Sequence, residues 1–453
     1  MKRTFYSSAP LTAALCAMLF APAAVAAVTA EEAQQLKTTL TPMGAERAGN
    51  KGGSIPEWTG GFTTVDPGRK PGDRRYDPFA EDKPLFSITA ENADKYTDKL
   101  ADGVVAMLKT YPKSFKINVY PTRRTAAAPQ RIYDSTFQNA TSAHLEKDGV
   151  AIRGAKAGVP FPIPKTGEEI RWNHITRWHG EAIDSRYKVW SITSDGTPVL
   201  ASQGKVTDQW PFYYKDNPVE TEYQLGVLQV EAPAFRVGEA LLLREPNDFS
   251  DGRHIWQYLS GQRRVRRAPT IGYDTPDFVA SGTNFFDEAQ GMLGSPERYD
   301  FKLVGKKEMY IPYNTNRLFM HKDQEVMDTN HLKPEFVRWE LHRVWVVEAT
   351  LKSGRRHAVP RRVSYHDEDT WSTAIMDGWD PQGKLWRTNL TLPFVAPDIP
   401  AVVNNCTDNF FNHQTKAWVY HCSYGDSDMQ YMPVPVRQDS YFTPEALNGL
   451  TAR

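Results

Sequence analysis

His366-Asp-Glu-Asp369 places one imidazole and three carboxylates in four residues, a set able to hold a divalent ion or to relay protons. It falls between two strand-like runs, where a polar hairpin tip is the plainer expectation. Glu168 and Glu169 lie close to His174 and His179, with Trp172 and Trp178 alongside. Paired carboxylates beside sugar-stacking rings are the equipment of a glycan hydrolase, but the pairing distance is a property of the fold. Asp380 with Gly383 lacks the further alternating acids of a calcium loop and reads as a turn. His413 and His421, near Cys406 and Cys422, match no zinc spacing. No Gly-x-Ser-x-Gly elbow, His-Glu-x-x-His helix, P-loop or dinucleotide fingerprint is present. The expectation is a protein that is not an enzyme, with no catalytic residue, cofactor or metal to name.

The elements around these residues are more informative. From residue 338 to 392 the chain writes four strands separated by three polar turns, at 352–355, 366–369 and 380–383. Successive strand side chains point to opposite sides, so Trp339, Leu341, Trp345 and Val347 share one face and Glu340 and His342 turn away from it. Arg343 interrupts that apolar face. There it is either a buried structural ion pair, an outward-turned bulge residue, or a cation that holds a helical lid or a ligand's acid group. An antiparallel sheet with bulky aromatics on one face needs a cover, either the protein's own chain or a lipid.

Arg362-Val-Ser-Tyr-His-Asp-Glu-Asp-Thr-Trp371, the Asp380 to Gly383 turn and Leu385-Trp-Arg387 carry a resemblance. So do Trp256-Gln-Tyr-Leu-Ser-Gly-Gln-Arg-Arg-Val-Arg-Arg267 and Gly282-Thr-Asn-Phe285. Over residues 256–392 the chain resembles the outer-membrane lipoprotein-sorting proteins LolA and LolB. Leu40-Thr-Pro-Met-Gly-Ala-Glu-Arg-Ala-Gly-Asn50 and Ile55-Pro-Glu-Trp-Thr-Gly-Gly61 are similar to the start of a large proteobacterial family of unknown function, grouped with that fold. This second likeness runs over nearly the whole mature chain. It implies a periplasmic carrier of lipid or acylated cargo that works with a resistance-nodulation-type (RND) exporter in the inner membrane. The ligand face it suggests comprises Trp339, Leu341, Arg343, Trp345, Val347, Trp256, Tyr258, Trp371 and Trp386. The chain is much longer than the small sorting proteins, and the extra Pro- and Gly-rich N-terminal material could fill the groove.

Residues 1–26 have the three parts of an export signal: Lys2 and Arg3, a short apolar run, and Ala24-Val-Ala26 for cleavage. The run is too short for a membrane span, and bulky Leu15 before Cys16 argues against a lipid anchor. Two cysteines remain after cleavage, and in an oxidising periplasm Cys406 and Cys422 are expected to pair. The 54 basic and 54 acidic residues balance, which with export excludes nucleic acid as a partner. The arginine run 263–267 is either a solvated strand or a transient contact with acidic lipid headgroups.

Helices are expected at 30–40, where Thr29 and Glu32 have capping-box spacing, and at 89–111, where apolar residues recur with helical period. Residues 49–83 read as an irregular wrap, and most of the remainder as strands, including 170–178. The expected fold is mainly β: one domain over 27–453, a large curved antiparallel sheet or incomplete barrel of LolA/LolB type, with a helical lid. The leading function is a non-catalytic lipid or lipoprotein carrier. The alternatives are an exported glycan- or lipid-acting hydrolase and a ligand-free adaptor of the envelope.

Overall fold

The computed structural model describes residues 28–70, 72–214, 221–268 and 271–451. The expected export signal lies outside the described residues.

Strands Trp339–Leu351, Arg361–Asp367, Thr373–Trp379 and Leu385–Thr391 form the expected meander, each antiparallel to the next. Their β-branched and aromatic content suits a pleated surface packed on both sides. The sheet continues through Asp408–Asn412 and Trp418–Ser423 to Ala182–Ile192, Pro198–Gln209, Glu222–Ala232, Ala240–Pro246, His254–Leu259 and Arg264–Arg267. Beyond the other side of the meander, Tyr299–Pro312 pairs along the whole of Trp339–Leu351. Ile117–Val119 joins in parallel at Trp339 and carries Phe86–Ile88. With Met432–Pro433 this makes a mixed sheet of 16 strands, open because its two end strands do not pair with each other. Arg264, Arg266 and Arg267 are exposed on one of those ends, as a solvated basic strand would be.

Two elements differ from the sequence reading. Residues 170–178 are not a strand: Gly167–Ile175 is a helix, started by a capping box between Thr166 and Glu169. Seven of its residues are buried, so no polar face betrays a helical period. The helix expected at 89–111 is two pieces, a 3₁₀ turn at Ala93–Lys99 and the helix Asp102–Thr110, with Leu100 and its neighbour Ala101 extended between them. The break lets Gly103 approach the sheet. Its N–H donates to Asp377 at 2.9 Å, and a Cβ there would lie 1.8 Å from the Thr388 hydroxyl oxygen. The capping box at Thr29 is present, although the helix it starts is only Ala30–Ala33 with a 3₁₀ turn after it.

Cys406 and Cys422 form a disulfide, with Cα atoms 5.5 Å apart. Reduction is expected to cost about 3 kcal/mol for a loop of this length. Urea unfolding with and without reductant measures it, and equal midpoints would show that the bridge contributes nothing. No helix among the described residues is long and apolar enough to cross a membrane.

Candidate functional site

The turn after Arg361–Asp367 is built on Trp339–Leu351. Register sets Asp367 opposite Val344 and His366 opposite Trp345, and the next N–H, that of Glu368, donates to the Arg343 carbonyl at 3.1 Å. Asp367 closes the turn by accepting from the Thr370 N–H and hydroxyl at 3.0 and 2.6 Å. This turn is not the solvated tip expected from its composition. His366, Asp367, Glu368 and Asp369 are 1–4% exposed. Buried carboxylates need partners, and here the partners come from distant segments.

Arg124 grips Asp369 with two bonds of 2.9 and 2.6 Å. Arg343 donates to Glu368 at 3.0 Å, and Lys306 donates to the other Glu368 oxygen at 2.8 Å. The same three cations fasten the N-terminal segment of residues 41–58, which forms no helix and only one isolated bridge. Arg124 also donates to the carbonyls of Glu46, Arg47 and Pro56, and Arg343 to that of Ala48 at 2.9 Å. Lys306 pairs with Glu46 at 3.1 Å. Trp371, at φ +62°, directs its indole N–H to the Met43 carbonyl at 2.8 Å. Gly44 lies so close to residue 162 that a Cβ would meet the Pro162 carbonyl oxygen at 2.0 Å. Residues 41–58 are therefore a strap, tied across the aromatic strand through its own backbone carbonyls.

Beneath it, Glu340 and His342 are fully buried, contrary to the expectation that strand alternation turns them away from the packed side. Both sides of this strand are covered. Glu340 accepts from Arg338, the Asn314 amide, the Arg123 N–H and His342 Nε2, the last at 3.0 Å. Burial pushes its pKa up, but the His342 hydrogen bond and the Arg338 charge outweigh that and hold it below the usual range. Burial alone would lower His342; the Glu340 bond and the Asp367 charge raise it instead. Asp367 is pushed up to about 7 by burial and by Asp369 beside it.

The nine residues expected to form a ligand face lie in three places. Arg343, Trp345 and Trp371 meet under the strap, the two indoles stacked at 6.4 Å with Lys306 over the Trp345 ring. Trp339, Leu341 and Val347 are buried along the same strand. Trp256 and Tyr258 pack instead with Phe442 and Leu447 of the C-terminal segment, and Trp386 lies edge-on to Phe285 at 5.8 Å. Two groups of the hydrolase alternative serve structure: Glu169 caps its helix, and His174 contacts the Gln290 carbonyl and accepts from the Thr373 N–H. Arg124 and Lys306 escape sequence reasoning, since neither stands in a motif, and Glu46 stands in the Leu40 to Asn50 segment without a role that the sequence assigns. The only cue is Arg123-Arg124 before an alanine run.

A family model described as "Protein of unknown function (DUF1329)" matches residues 87–448. The chain belongs to that family. An uncharacterized protein from Pseudomonas aeruginosa is 38% identical over 94% of this chain and 97% of its own. Among solved structures, the chain is similar to an outer-membrane lipoprotein-sorting protein domain from Vibrio parahaemolyticus, at 14% identity and TM-score 0.41 over 60% of this chain and 94% of that one. It is also similar to a DUF1329 protein from Desulfovibrio piger, at 16% identity and TM-score 0.40 over 59% and 92%. A LolA superfamily protein from Nitrosomonas europaea matches at 12% identity and TM-score 0.36 over 62% and 100%.

Proposed function

We propose that this DUF1329 protein is a non-catalytic carrier of lipid or acylated cargo in the cell envelope, held closed by the strap of residues 41–58. The observation that supports the reading is the kind of cover the aromatic strand has. Trp371, with partly exposed Trp345 stacked on it, is roofed by irregular chain whose ties are ion pairs and hydrogen bonds to carbonyls. Such ties exchange with water or a partner at modest net cost, whereas an acyl chain entering beneath gains about 0.8 kcal/mol per buried methylene. Glu46, about half exposed, is the accessible end of the latch.

Displacement of a fluorescent fatty acid tests this. Glu46→Gln should raise dye occupancy by loosening the strap. Leu341→Asp should lower affinity about tenfold or more, because an unpaired charge would sit among apolar groups. Arg343→Leu, which leaves Glu368 with Lys306 as its partner, should loosen the strap and change the release rate. Equal binding by all four proteins would remove this strand as the cargo site.

The ligand-free adaptor reading is favoured by one observation. The cavity lined by Phe115, Trp339, Leu390 and Phe411 has a volume of only about 10 Å³, room for a water molecule. Absence of dye binding in every variant, including Glu46→Gln, would put the adaptor first.

A further inference from the structure

A buried imidazole nitrogen and a buried carboxylate oxygen face one another at the strand that carries the strap. Glu340 accepts from Arg338, Asn314 and the Arg123 N–H, as an ionised carboxylate does, so the His342 nitrogen that contacts it, Nε2, carries the proton. What Nδ1 faces, at 3.7 Å, is Asp367 Oδ1, an acceptor. That separation is too long for a direct hydrogen bond. Asp367 Oδ1 has no hydrogen-bond partner, while the residue is 1% exposed. A third donor completes the group: one ligand atom each from His342, Asp367 and Asp369 lie within 4.8 Å of one another.

The surroundings point the same way. Tyr313 stacks on the His342 ring at 4.0 Å, and its buried hydroxyl also has no partner. Glu340, Asp367, Glu368 and Asp369 set four buried carboxylates against the three buried guanidinium groups of Arg124, Arg338 and Arg343. Lys306 adds a fourth cation on Glu368, so these carboxylates and their cations balance in number, and Asp367 Oδ1 is the oxygen left without a donor. A buried carboxylate oxygen without a partner is costly, and coordination of a metal ion is one remedy.

We propose that His342 Nδ1, Asp367 Oδ1 and a carboxylate oxygen of Asp369 bind a divalent transition-metal ion, zinc being the natural probe. Bonds of about 2.0–2.2 Å place tetrahedral ligand atoms roughly 3.3–3.6 Å apart; the His342–Asp367 pair already stands at 3.7 Å, while wider separations, up to 4.8 Å, must close by roughly 1 Å. Glu340 takes the place of the outer carboxylate that orients a metal-bound imidazole. Asp369 bonds Arg124 through both oxygens, yet each oxygen has a second lone pair to offer. The donor set contains nitrogen and oxygen but no thiolate, which excludes a soft monovalent ion. The role is structural: the ion would pin the turn to the strand on which the strap rests. None of this depends on the cargo reading.

The test is elemental analysis of the mature protein, exported into zinc-supplemented periplasm or refolded with Zn²⁺, then desalted. About one zinc per chain is expected, with release by chelator lowering the melting temperature. Asp367→Asn and His342→Ala should each lose the ion. Folded wild type without stoichiometric zinc overturns the proposal, as does full retention by folded Asp367→Asn. If both variants fail to fold, X-ray absorption of zinc-loaded wild type decides. A shell of nitrogen and oxygen with a single imidazole is expected, and sulfur or several imidazoles would place the ion elsewhere.

Discussion

Replacing Arg124 with methionine is expected to lower the unfolding free energy by about 3–5 kcal/mol, the cost of breaking a buried ion pair from one side. Arg124 donates to both Asp369 oxygens and to the carbonyls of Glu46, Arg47 and Pro56. Its removal leaves a carboxylate unpaired in the interior and three strap carbonyls without their donor. Lysine should not rescue, because one ammonium cannot reproduce a two-bond grip and reach the strap as well. Arg124→Met with Asp369→Asn should recover much of the loss, since no charge is then stranded. Urea unfolding at neutral pH measures all four proteins, and limited proteolysis reports whether residues 41–58 become accessible first. A loss under about 1 kcal/mol for Arg124→Met would show that the strap and turn are held by other contacts.

Three buried carboxyls should subtract stability as pH rises from about 4 to 7, against the gain in that window from His174, His179, His366 and His413, which burial holds neutral in the folded state. Burial pushes Asp377 up to about 7 and Asp208 and Asp408 up to about 6. A carboxyl with a raised folded pKa stays protonated in the native state while the unfolded chain has already lost its proton. Its contribution is therefore greatest below the unfolded value near 3.9 and is lost as pH climbs to the folded value. For Asp377 the upper bound is about 4 kcal/mol by pH 8. Below about pH 4 the opposite group takes over, because Glu340 and Asp398, held low by His342 and Arg75, must be protonated. Asp377→Asn keeps an oxygen for the Gly103 N–H and a donor for Thr388. It should be close to neutral at pH 4.5 and stabilising at pH 8, as read by unfolding free energies at the two values. Parallel curves for wild type and variant would remove Asp377 as the source.

The meander was legible because turns and alternation are local signals: Asp380 accepts from Gln382 and Lys384, and Gly383 takes φ +76°. The pairing of Cys406 with Cys422 followed from counting. Gly167–Ile175 was misread because a helix buried almost all round shows no amphipathic contrast, although Thr166 and Glu169 carried its start signal in plain view. The break at Leu100 is set by the fit of Gly103 to the sheet, which no local period encodes. The site failed for a related reason. Turn statistics place His366-Asp-Glu-Asp369 in water, and only the arrival of Arg124, Lys306 and Arg343 makes its burial affordable. Arg343 did announce itself, as a cation in an apolar register, and it proves to be an ion pair that is also a strap anchor.

The strap's anchors lie far along the chain from the residues they hold: 295 positions separate Ala48 from Arg343, and 328 separate Met43 from Trp371. A polypeptide emerges N-terminus first, so this segment is among the earliest to appear and cannot reach its place until most of the sheet exists. Closing so long a loop is entropically demanding and slow. Assembly thus runs against the direction of synthesis. Throughout that interval Trp345 and Trp371 stand without their roof, which makes the nascent protein most adhesive to apolar surfaces just before its first residues come home.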